Sequence, residues 1–419
     1  MTERLIIHNF ASITELNIEI KKINIIIGPQ ASGKSVCTKL LFYFKSFPLD
    51  LVRFIENGKT ITDLLQLYKG RFEEFFPQSC WGKQGFYIRH ETHDFFIQVD
   101  AAEHLDLGFR IQYSEHYEHL AEELTQIYKK GVDSMSDLDL SDERDMIHSK
   151  MLTHASNRLQ PESFYPQLFI PAARSFFYMI QSNIFSLMSN NITIDPFLQR
   201  FGAIYESAKK SYSSDRTYEN KTSQNEIEHH INEILCGEYR MEKGKEFLMS
   251  IDGRKTPISF ASSGQQEALP LLVVLLSMPK YNRSSAQGMS VYIEEPEAHL
   301  FPTAQKKIIE VISMIFNSCE GELQFFITTH SPYVLTALNN LIEAGLLYDE
   351  LPEESRNQLE SIVPRYKALN PKQMKVYSLE SGYAQSIISD ETGLIDTNII
   401  DEVSNELSIE FGNLLDLEN

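Results

Sequence analysis

The N-terminal part of the chain alternates short apolar runs with polar breaks and then changes to helical spacing. Residues 5–10, 16–20 and 23–27 form three such runs, each with the length and composition of a β-strand. Apolar side chains at residues 36–44 then recur at the spacing of one helix face. The pattern predicts a strand, a loop and a helix in succession, with the loop at residues 28–35.

The next stretch, residues 45–236, mixes aromatic and charged residues and contains little glycine. Residues 101–130 and 197–234 have helical patterns that are polar on most of their faces. The pattern predicts a mainly helical insert. We expect an apolar segment at about 166–176 to return the chain to the first unit.

Residues 237–419 return to a pattern of strands and helices. Two β-type runs, 247–251 and 257–260, flank an Asp-Gly turn and predict a hairpin. The helices and buried strands predicted after it alternate at residues 265–278, 289–293, 303–316, 323–328 and 332–344. Such alternation is typical of a largely parallel sheet covered by helices. The chain therefore divides into 1–44, 45–236 and 237–419, and the first and last parts form one unit.

The composition is that of a globular protein, because 419 residues with 42% hydrophobic content suffice for a large core. The net charge of -20 means that most of the surface repels a polyanion. A contact with DNA therefore needs a local basic patch. The isolated pairs Lys129-Lys130 and Lys209-Lys210 provide little positive charge for one. The longest apolar run, 268–278, is far shorter than the ~20 residues of a spanning helix. We expect no membrane contact and a cytoplasmic location.

The strongest chemical motif is a phosphate loop between the third strand and the first helix. It fits the pattern GxxxxGK[ST] in the strand-to-helix context that the motif requires. Its residues are Gly28, Pro29, Gln30, Ala31, Ser32, Gly33, Lys34 and Ser35. Backbone N–H groups of such a loop curl around the phosphate oxygens of ATP, and the helix N-terminus favours the anion. We expect Lys34 to reach the β- and γ-phosphates and the Ser35 hydroxyl to bind Mg²⁺.

A second motif, of the Walker B type, stands at the carboxyl end of the buried strand 289–293. Glu294 and Glu295 follow this strand directly, at the sheet edge where open α/β sheets bind ligands. Glu294 can hold Mg²⁺ through water, and Glu295 can orient and deprotonate the attacking water. An acidic surface turn is the alternative when the pair is taken alone.

Two further motifs are weak when each is taken alone. The helix at 265–278 is opened by a polar cluster that is usually only an N-cap. The cluster consists of Ser262, Ser263, Gly264 and Gln265. His330 follows the strand 323–328 within the sequence Thr-His-Ser-Pro, where a lone histidine is more often structural.

The order of phosphate loop, serine-glycine cluster, glutamate pair and histidine resembles the SMC/RecF/OLD group of ABC ATPases. The resemblance covers about residues 1–44 and 247–340. It implies an α/β fold: a P-loop ABC ATPase head with a mixed sheet, and a helical insertion between the Walker A and signature motifs. It also implies ATP and Mg²⁺ as ligands and Glu295 and His330 as catalytic residues. The signature residues would contact the nucleotide of a second head, so paired heads, as a homodimer or a higher oligomer, are expected.

The chain departs from the usual ABC pattern at two positions. Glu294 stands where typical ABC proteins have Asp, although a Glu-Glu-Pro-Glu variant occurs in the OLD-like branch, and Ser263 replaces the first signature glycine. Residues 170–175 resemble a Pro-Ala-x-Arg strand of OLD-like ATPases. This similarity makes Arg174 a candidate to contact the nucleotide or to couple it to the helical lobe, whereas a buried structural arginine paired with a carboxylate is equally expected. Gln167 is the nearest candidate for a Q-loop glutamine.

The resemblance leaves two main functions open. Stand-alone OLD-like ATPases of bacterial anti-phage systems such as PARIS, Septu and retron modules work with separate effectors. Our first hypothesis is therefore a sensor or scaffold ATPase whose head pairing controls a nuclease or toxin, since residues 342–419 are too few for a Toprim nuclease domain. The alternative is a RecF/SMC-like DNA-repair ATPase that clamps duplex DNA. A transporter motor is disfavoured by the position of the insert.

Overall fold

The fold is of the α/β class, with one large mixed sheet and helices packed on it, which confirms the predicted class. The computed structural model describes residues 3–102, 108–134, 140–178, 194–214, 222–285, 288–319, 321–396, 409–411 and 413–414.

The strands of the described residues fall into two sheets. They are β1 (Glu3–Phe10), β2 (Ile13–Ile20), β3 (Ile23–Ile27), β4 (Phe86–Thr92), β5 (Phe95–Ala101), β6 (Arg110–Tyr113), β7 (Gln167–Ile170), β8 (Glu238–Glu242), β9 (Lys245–Met249), β10 (Lys255–Pro257), β11 (Met289–Glu294), β12 (Leu323–Thr329), β13 (Met374–Glu380) and β14 (Tyr383–Ser386). The large sheet has the order β6-β5-β4-β1-β2-β14-β13-β3-β12-β11-β7, and β8 to β10 form the small one.

The helices of the described residues pack mainly on the large sheet. They are α1 (Lys34–Lys45), α2 (Phe47–Glu56), α3 (Ile61–Phe75), α4 (Glu115–Asp133), α5 (Leu140–Arg158), α6 (Pro196–Ser214), α7 (Thr222–Ile234), α8 (Ser263–Ser285), α9 (Pro302–Ser318), α10 (Pro332–Glu350) and α11 (Glu353–Ile362). No helix of this part of the chain is both long and apolar enough to cross a bilayer.

Five neighbouring strands of the large sheet run parallel: β13, β3, β12, β11 and β7. Every residue of β3 and β12 is buried, as the continuous apolar pattern of a strand covered on both faces predicts. Alternate residues of β3 face opposite sides, so Ile25 packs in one hydrophobic core and Ile26 in the other. The parallel, helix-covered sheet predicted from the sequence is confirmed for these strands.

The stretch predicted to be helical from residue 101 instead continues the sheet as far as Tyr113. Strands β4, β5 and β6 extend it beyond β1 by antiparallel pairing, and α4 begins only after Ser114. In β4 and β5 every second residue is buried, which is the period of a strand with one face on a core. The sequence of residues 86–101 carries this alternation, which the prediction of a mainly helical insert does not include. The division of the chain at residues 44 and 236 stays a prediction.

The hairpin predicted around the Asp-Gly turn is confirmed. Strands β9 and β10 pair antiparallel, and Gly253 takes a φ of 84° at the turn. The position predicted for the second strand, 257–260, is wrong: β10 covers Lys255–Pro257, and Ile258–Phe260 form a short 3-10 helix that follows it directly. This helix leads the chain to Ser262.

Three ionisable side chains meet in the core. They come from the end of α1 and from the paired strands β1 and β4. The Lys45 ammonium lies 2.6 Å from Glu3 Oε1, and His90 Nε2 lies 2.8 Å from the same oxygen. All three side chains are buried. Burial alone would raise the pKa of Glu3, but Lys45 and His90 outweigh it and lower that pKa to about 2. The cluster fixes the end of the phosphate-loop helix on the sheet.

We expect Glu3→Gln to destabilise the fold by about 3–5 kcal/mol, because it leaves Lys45 buried without its counter-charge. The matched control is Glu19→Gln, which removes a more exposed ion pair with Lys21 and should cost less than about 1 kcal/mol. Urea unfolding of both variants measures the difference. Equal losses would contradict the role of the buried cluster.

The same variant also gives a pH test. The pKa of Glu3 is lowered in the folded state. Its contribution to the free energy of unfolding is therefore complete above pH 4.5 and is lost as the pH falls toward about 2. The stability difference between the wild type and Glu3→Gln should therefore shrink below pH 4.5. A difference that grows on acidification would have the wrong sign.

Candidate nucleotide site

The phosphate loop joins the carboxyl end of β3 to the start of α1 and packs tightly on its neighbours. A Cβ at Gly28 would lie 2.1 Å from the Leu379 carbonyl oxygen, so the residue after β3 must be glycine. Gly33, directly before α1, has a φ of 106°, and a Cβ there would lie 2.7 Å from Ile13. Both glycines of the motif are therefore required by this backbone path.

The Lys34 ammonium lies over this loop. It donates to the Gly28 carbonyl oxygen at 2.8 Å and to the Pro29 carbonyl oxygen at 2.7 Å, and it lies 3.4 Å from His330 Nδ1. Burial lowers the pKa of Lys34, while the charge of Glu295 opposes the shift. The structure thus brings the loop lysine, the glutamate and the histidine of three separate motifs together.

The Glu294 carboxylate is buried at the end of β11 and has an oxygen to spare. Its Oε2 accepts a hydrogen bond from the Ala172 N–H at 3.3 Å, and Oε1 is buried with no hydrogen-bond partner. Burial raises the pKa of Glu294, while the charge of Lys39 and the nearby Ser35 hydroxyl oppose the shift. A buried carboxylate oxygen without a donor, beside the loop hydroxyl, is the kind of group that a cation satisfies.

Glu295 is held in an unusual backbone conformation. Its φ of 46° lies in the left-handed region, which costs a non-glycine residue about 1–3 kcal/mol. Its N–H donates to the Thr328 carbonyl oxygen at 2.9 Å, which ties it to β12. The side chain then meets His330, with 3.2 Å between Glu295 Oε1 and His330 Nε2. The strained backbone points the carboxylate at the histidine.

Glu297 fixes the segment that carries the histidine. Its Oε1 accepts hydrogen bonds from the Thr329 hydroxyl at 2.7 Å and from the His330 N–H at 2.8 Å. The side chain is buried, and Oε2 has no hydrogen-bond partner. The sequence analysis did not single out Glu297, although its place in Glu-Glu-Pro-Glu was a signal that it belongs to the site.

The serine-glycine cluster forms a reciprocal cap at the start of α8. Ser262 N–H donates to Gln265 Oε1 at 2.9 Å, and Gln265 N–H donates to Ser262 Oγ at 3.3 Å. A Cβ at Gly264 would lie 2.6 Å from the His299 carbonyl oxygen, so this glycine lets α8 approach the segment after β11. Ser262 and Ser263 are exposed. Within the described residues, the hydrogen bonds of Ser262 and Gln265 do not reach the phosphate loop, so the signature role stays a prediction.

Within the described residues, no hydrogen bond of the Arg174 side chain reaches the phosphate loop, and its assignment as a nucleotide contact stays a prediction. The guanidinium is fully buried, and it donates to the carbonyl oxygens of Pro171, Glu294, Glu295 and Glu267. Burial lowers the pKa of Arg174, and the charge of Glu267 opposes the shift. Four of its five guanidinium N–H groups donate within the protein, and Nε lies 3.5 Å from Glu267 Oε1, which is the arrangement of the alternative, a buried arginine paired with a carboxylate.

Gln167 lies at the end of β7 that is farther from the phosphate loop. It begins β7 opposite Ser290, whereas the site lies at the other end of these parallel strands, beyond Ile170. Its Oε1 accepts a hydrogen bond from the Tyr292 hydroxyl at 2.6 Å. Gln167 is therefore not a Q-loop glutamine at this site, and the Ala172 N–H lies beside Glu294 instead.

No group of three or more His, Cys, Asp and Glu side chains with metal-binding geometry occurs within the described residues. Mg²⁺ beside a nucleotide usually takes only one or two protein oxygens and completes its shell with water and phosphate. The assignment of Ser35 and Glu294 to such an ion stays a prediction, and the unsatisfied Glu294 Oε1 is the observation that supports it.

Residues 172–335 match a family model described as an AAA ATPase domain. The matched stretch is less than half of the chain and contains Arg174, the cluster at Ser262, the glutamate pair and His330. The comparison with curated proteins gives no match.

Three solved structures are similar to the chain over most of its length. The SMC head domain from Thermotoga maritima is 13% identical, with 92% of this chain and 98% of that chain covered and a TM-score of 0.36. The Smc head domain with a coiled coil and joint from Pyrococcus yayanosii is 10% identical, with coverages of 96% and 99% and a TM-score of 0.39. The recombination mediator protein RecF is 11% identical, with coverages of 92% and 98% and a TM-score of 0.34. These values are too low to carry an argument about function.

We expect Gly28→Ala to lower the affinity for ATP by about tenfold or more. The new Cβ would lie 2.1 Å from the Leu379 carbonyl oxygen, and relieving such a clash costs about 1–3 kcal/mol in the conformation that must bind. Titration with a fluorescent ATP analogue measures the change. Gly70→Ala is the control, since a Cβ there meets nothing within 4 Å and should stabilise α3 slightly. Unchanged affinity in Gly28→Ala would contradict the assignment of the loop.

Proposed function

We propose that the chain binds ATP with Mg²⁺ at the phosphate loop and hydrolyses it to ADP and phosphate. The observation that supports this most directly is the meeting of Lys34, Glu295 and His330, which come from three distant motifs. Chance similarity to a single motif would not bring these side chains within hydrogen-bond distance of one another. The match of residues 172–335 to an ATPase domain agrees with the proposal.

Binding would use the backbone N–H groups of the loop, the start of α1 and the Lys34 ammonium. The ammonium donates to two loop carbonyl oxygens, so phosphate oxygens that reach the loop would compete for a donor already in place. Mg²⁺, when bound, would neutralise phosphate charge and polarise the transferred group. Ser35 and Glu294 would hold it, in keeping with the unsatisfied Glu294 Oε1.

Water activation would belong to Glu295 with His330. Glu295 carries the more exposed carboxylate of the pair, since its side chain is 37% exposed, whereas Glu294 is buried. A carboxylate that can reach water and contacts an imidazole can accept a proton from the attacking water, while the histidine steadies the developing charge. Glu297 would keep the histidine in position through its hydrogen bonds with the Thr329 hydroxyl and the His330 N–H.

A complete site would require a second copy of the chain. In this proposal the exposed Ser262 and Ser263, with the Gly264 and Gln265 backbone, close over the nucleotide held by the partner head. The support is that Ser262 and Gln265 bond to each other within the chain, while their exposed faces are open to another molecule. Closure would also exclude bulk water from the transferred phosphate.

Head pairing would in turn control a separate protein, and we propose a sensor or scaffold role beside a nuclease or toxin effector, as in bacterial anti-phage defence. Its support is the resemblance to stand-alone OLD-like ATPases and the net charge of -20, which suits protein contacts better than DNA contacts. The RecF/SMC-like DNA clamp remains the competing proposal.

We expect Glu295→Gln to bind ATP as well as the wild type and to hydrolyse it about 10²–10⁴-fold more slowly, because the amide cannot accept the proton. The bound ATP should then persist and accumulate a paired form. Phosphate release and light scattering with Mg²⁺-ATP measure both effects. Glu353→Gln, on the exposed first turn of α11, is the control. Hydrolysis at the wild-type rate in Glu295→Gln would remove Glu295 from the mechanism.

We expect duplex DNA to leave ATP turnover unchanged at both low and physiological salt, because the acidic surface repels the phosphate backbone. The measurement is a DNA titration of Mg²⁺-dependent hydrolysis with Glu295→Gln as the blank. Stimulation that fades as salt is raised would favour the DNA clamp over the protein-coupled role.

A further inference from the structure

The buried Arg174 guanidinium holds the backbone of both Walker B glutamates. Its Nη1 donates to the Glu294 carbonyl oxygen at 2.8 Å, and its Nη2 donates to the Glu295 carbonyl oxygen at 2.9 Å. Nη1 also donates to the Pro171 carbonyl oxygen at 2.8 Å, within the segment that follows β7. One side chain thus spans two neighbouring strand ends of the parallel sheet.

The same arginine is tied to α8, the helix that begins at the serine-glycine cluster. Its Nε donates to the Glu267 carbonyl oxygen at 2.9 Å and lies 3.5 Å from Glu267 Oε1. The Glu267 carboxylate accepts from the Arg174 N–H at 2.8 Å and from the Ser175 N–H at 2.9 Å. Both side chains are buried, so neither has water as a substitute partner.

Glu295 is where this connection reaches the proposed chemistry. Its left-handed backbone is fixed on one side by its own N–H, which donates to the Thr328 carbonyl oxygen, and on the other by Arg174, which binds its carbonyl oxygen. A strained residue keeps its conformation only where its surroundings determine it from several sides. Removing Arg174 would remove the hydrogen bond to the Glu295 carbonyl oxygen, which is one of the two contacts that fix this backbone.

We propose that Arg174 and Glu267 form a positioning pair that couples the N-terminal segment of α8 to the orientation of Glu295. A movement of α8 against a second head carries Glu267 with it, and Arg174 transfers that movement to the carbonyl oxygen of Glu295. The pair acts through the backbone and touches neither nucleotide nor water. The inference rests on the proposed ATP hydrolysis. It specifies how the serine-glycine cluster of one head controls the orientation of Glu295 in the same head.

The geometry requires a guanidinium. Its donors leave in fixed directions within one plane, and here they reach four carbonyl oxygens from three segments of the chain. A lysine keeps the charge that balances Glu267, but a single ammonium cannot reproduce this spread of donors. Arg174→Lys therefore separates positioning from charge balance.

The test is Arg174→Lys in the full chain, with the affinity for ATP and the turnover number measured separately. We expect the dissociation constant to stay within about threefold of the wild type, because the phosphate loop is untouched. Turnover should fall on the order of 10²-fold, the usual effect of misplacing a catalytic group by about 1 Å. ATP-dependent pairing should be retained.

Arg71→Lys is the matched control, since Arg71 forms a partly buried ion pair with Asp50 at 2.7 Å within the helical region. This variant should change thermal stability without changing turnover. Turnover at the wild-type rate in Arg174→Lys would overturn the proposal that Arg174 and Glu267 position Glu295. Losses of ATP affinity and turnover in equal proportion would also overturn it. A wild type without any ATP turnover would instead contradict the proposed function itself.

Glu267→Gln gives an independent test if Arg174→Lys fails to fold. It keeps an oxygen that accepts hydrogen bonds and removes the charge, and it should lower turnover with ATP affinity retained. Groups that act as one unit give non-additive losses. When both single variants fold, the double variant should therefore be no slower than the slower single variant, and losses that multiply would overturn the coupling. When Arg174→Lys does not fold, wild-type turnover in Glu267→Gln overturns it.

Discussion

Parallel hydrogen bonding between β3, β12 and β11 brings the carboxyl ends of three strands to one edge of the sheet. The phosphate loop leaves the first strand, His330 follows the second and the glutamate pair ends the third. These motifs are far apart in the sequence, so they meet through the pairing of the strands that carry them. The pairing also explains why both faces of these strands are apolar. The helices that cover them exclude water and keep the register fixed.

The edge so formed concentrates ionisable groups in a region with little water. Lys34, Glu294, Arg174 and Glu267 are all buried there, and each would be costly if its partners were removed. Three of them have their partners within the protein. Glu294 and Glu297 each keep an unsatisfied buried oxygen. Of these two glutamates, Glu294 is the one beside Ser35 of the phosphate loop, which supports its proposed role as a cation ligand.

Local sequence was sufficient for the parts of the structure that depend on neighbouring residues. The strands around the phosphate loop, the hairpin at Gly253 and the helix after His330 follow from apolar spacing and turn residues. The contacts of Arg174 could not be derived in this way, since they join segments whose approach is set by the sheet. The strands before α4 were missed for a different reason: a half-exposed strand with long polar side chains resembles a polar helix when only composition is considered.

The close approach of Gly28 to the Leu379 carbonyl oxygen has a consequence for how the protein is made. Strand β13, which carries Leu379, pairs with β3 but is synthesised long after it. While most of the chain is still being translated, β3 lacks this neighbour and the loop lacks the backbone against which it packs. The loop therefore acquires its finished packing only after the C-terminal region that carries β13 has left the ribosome.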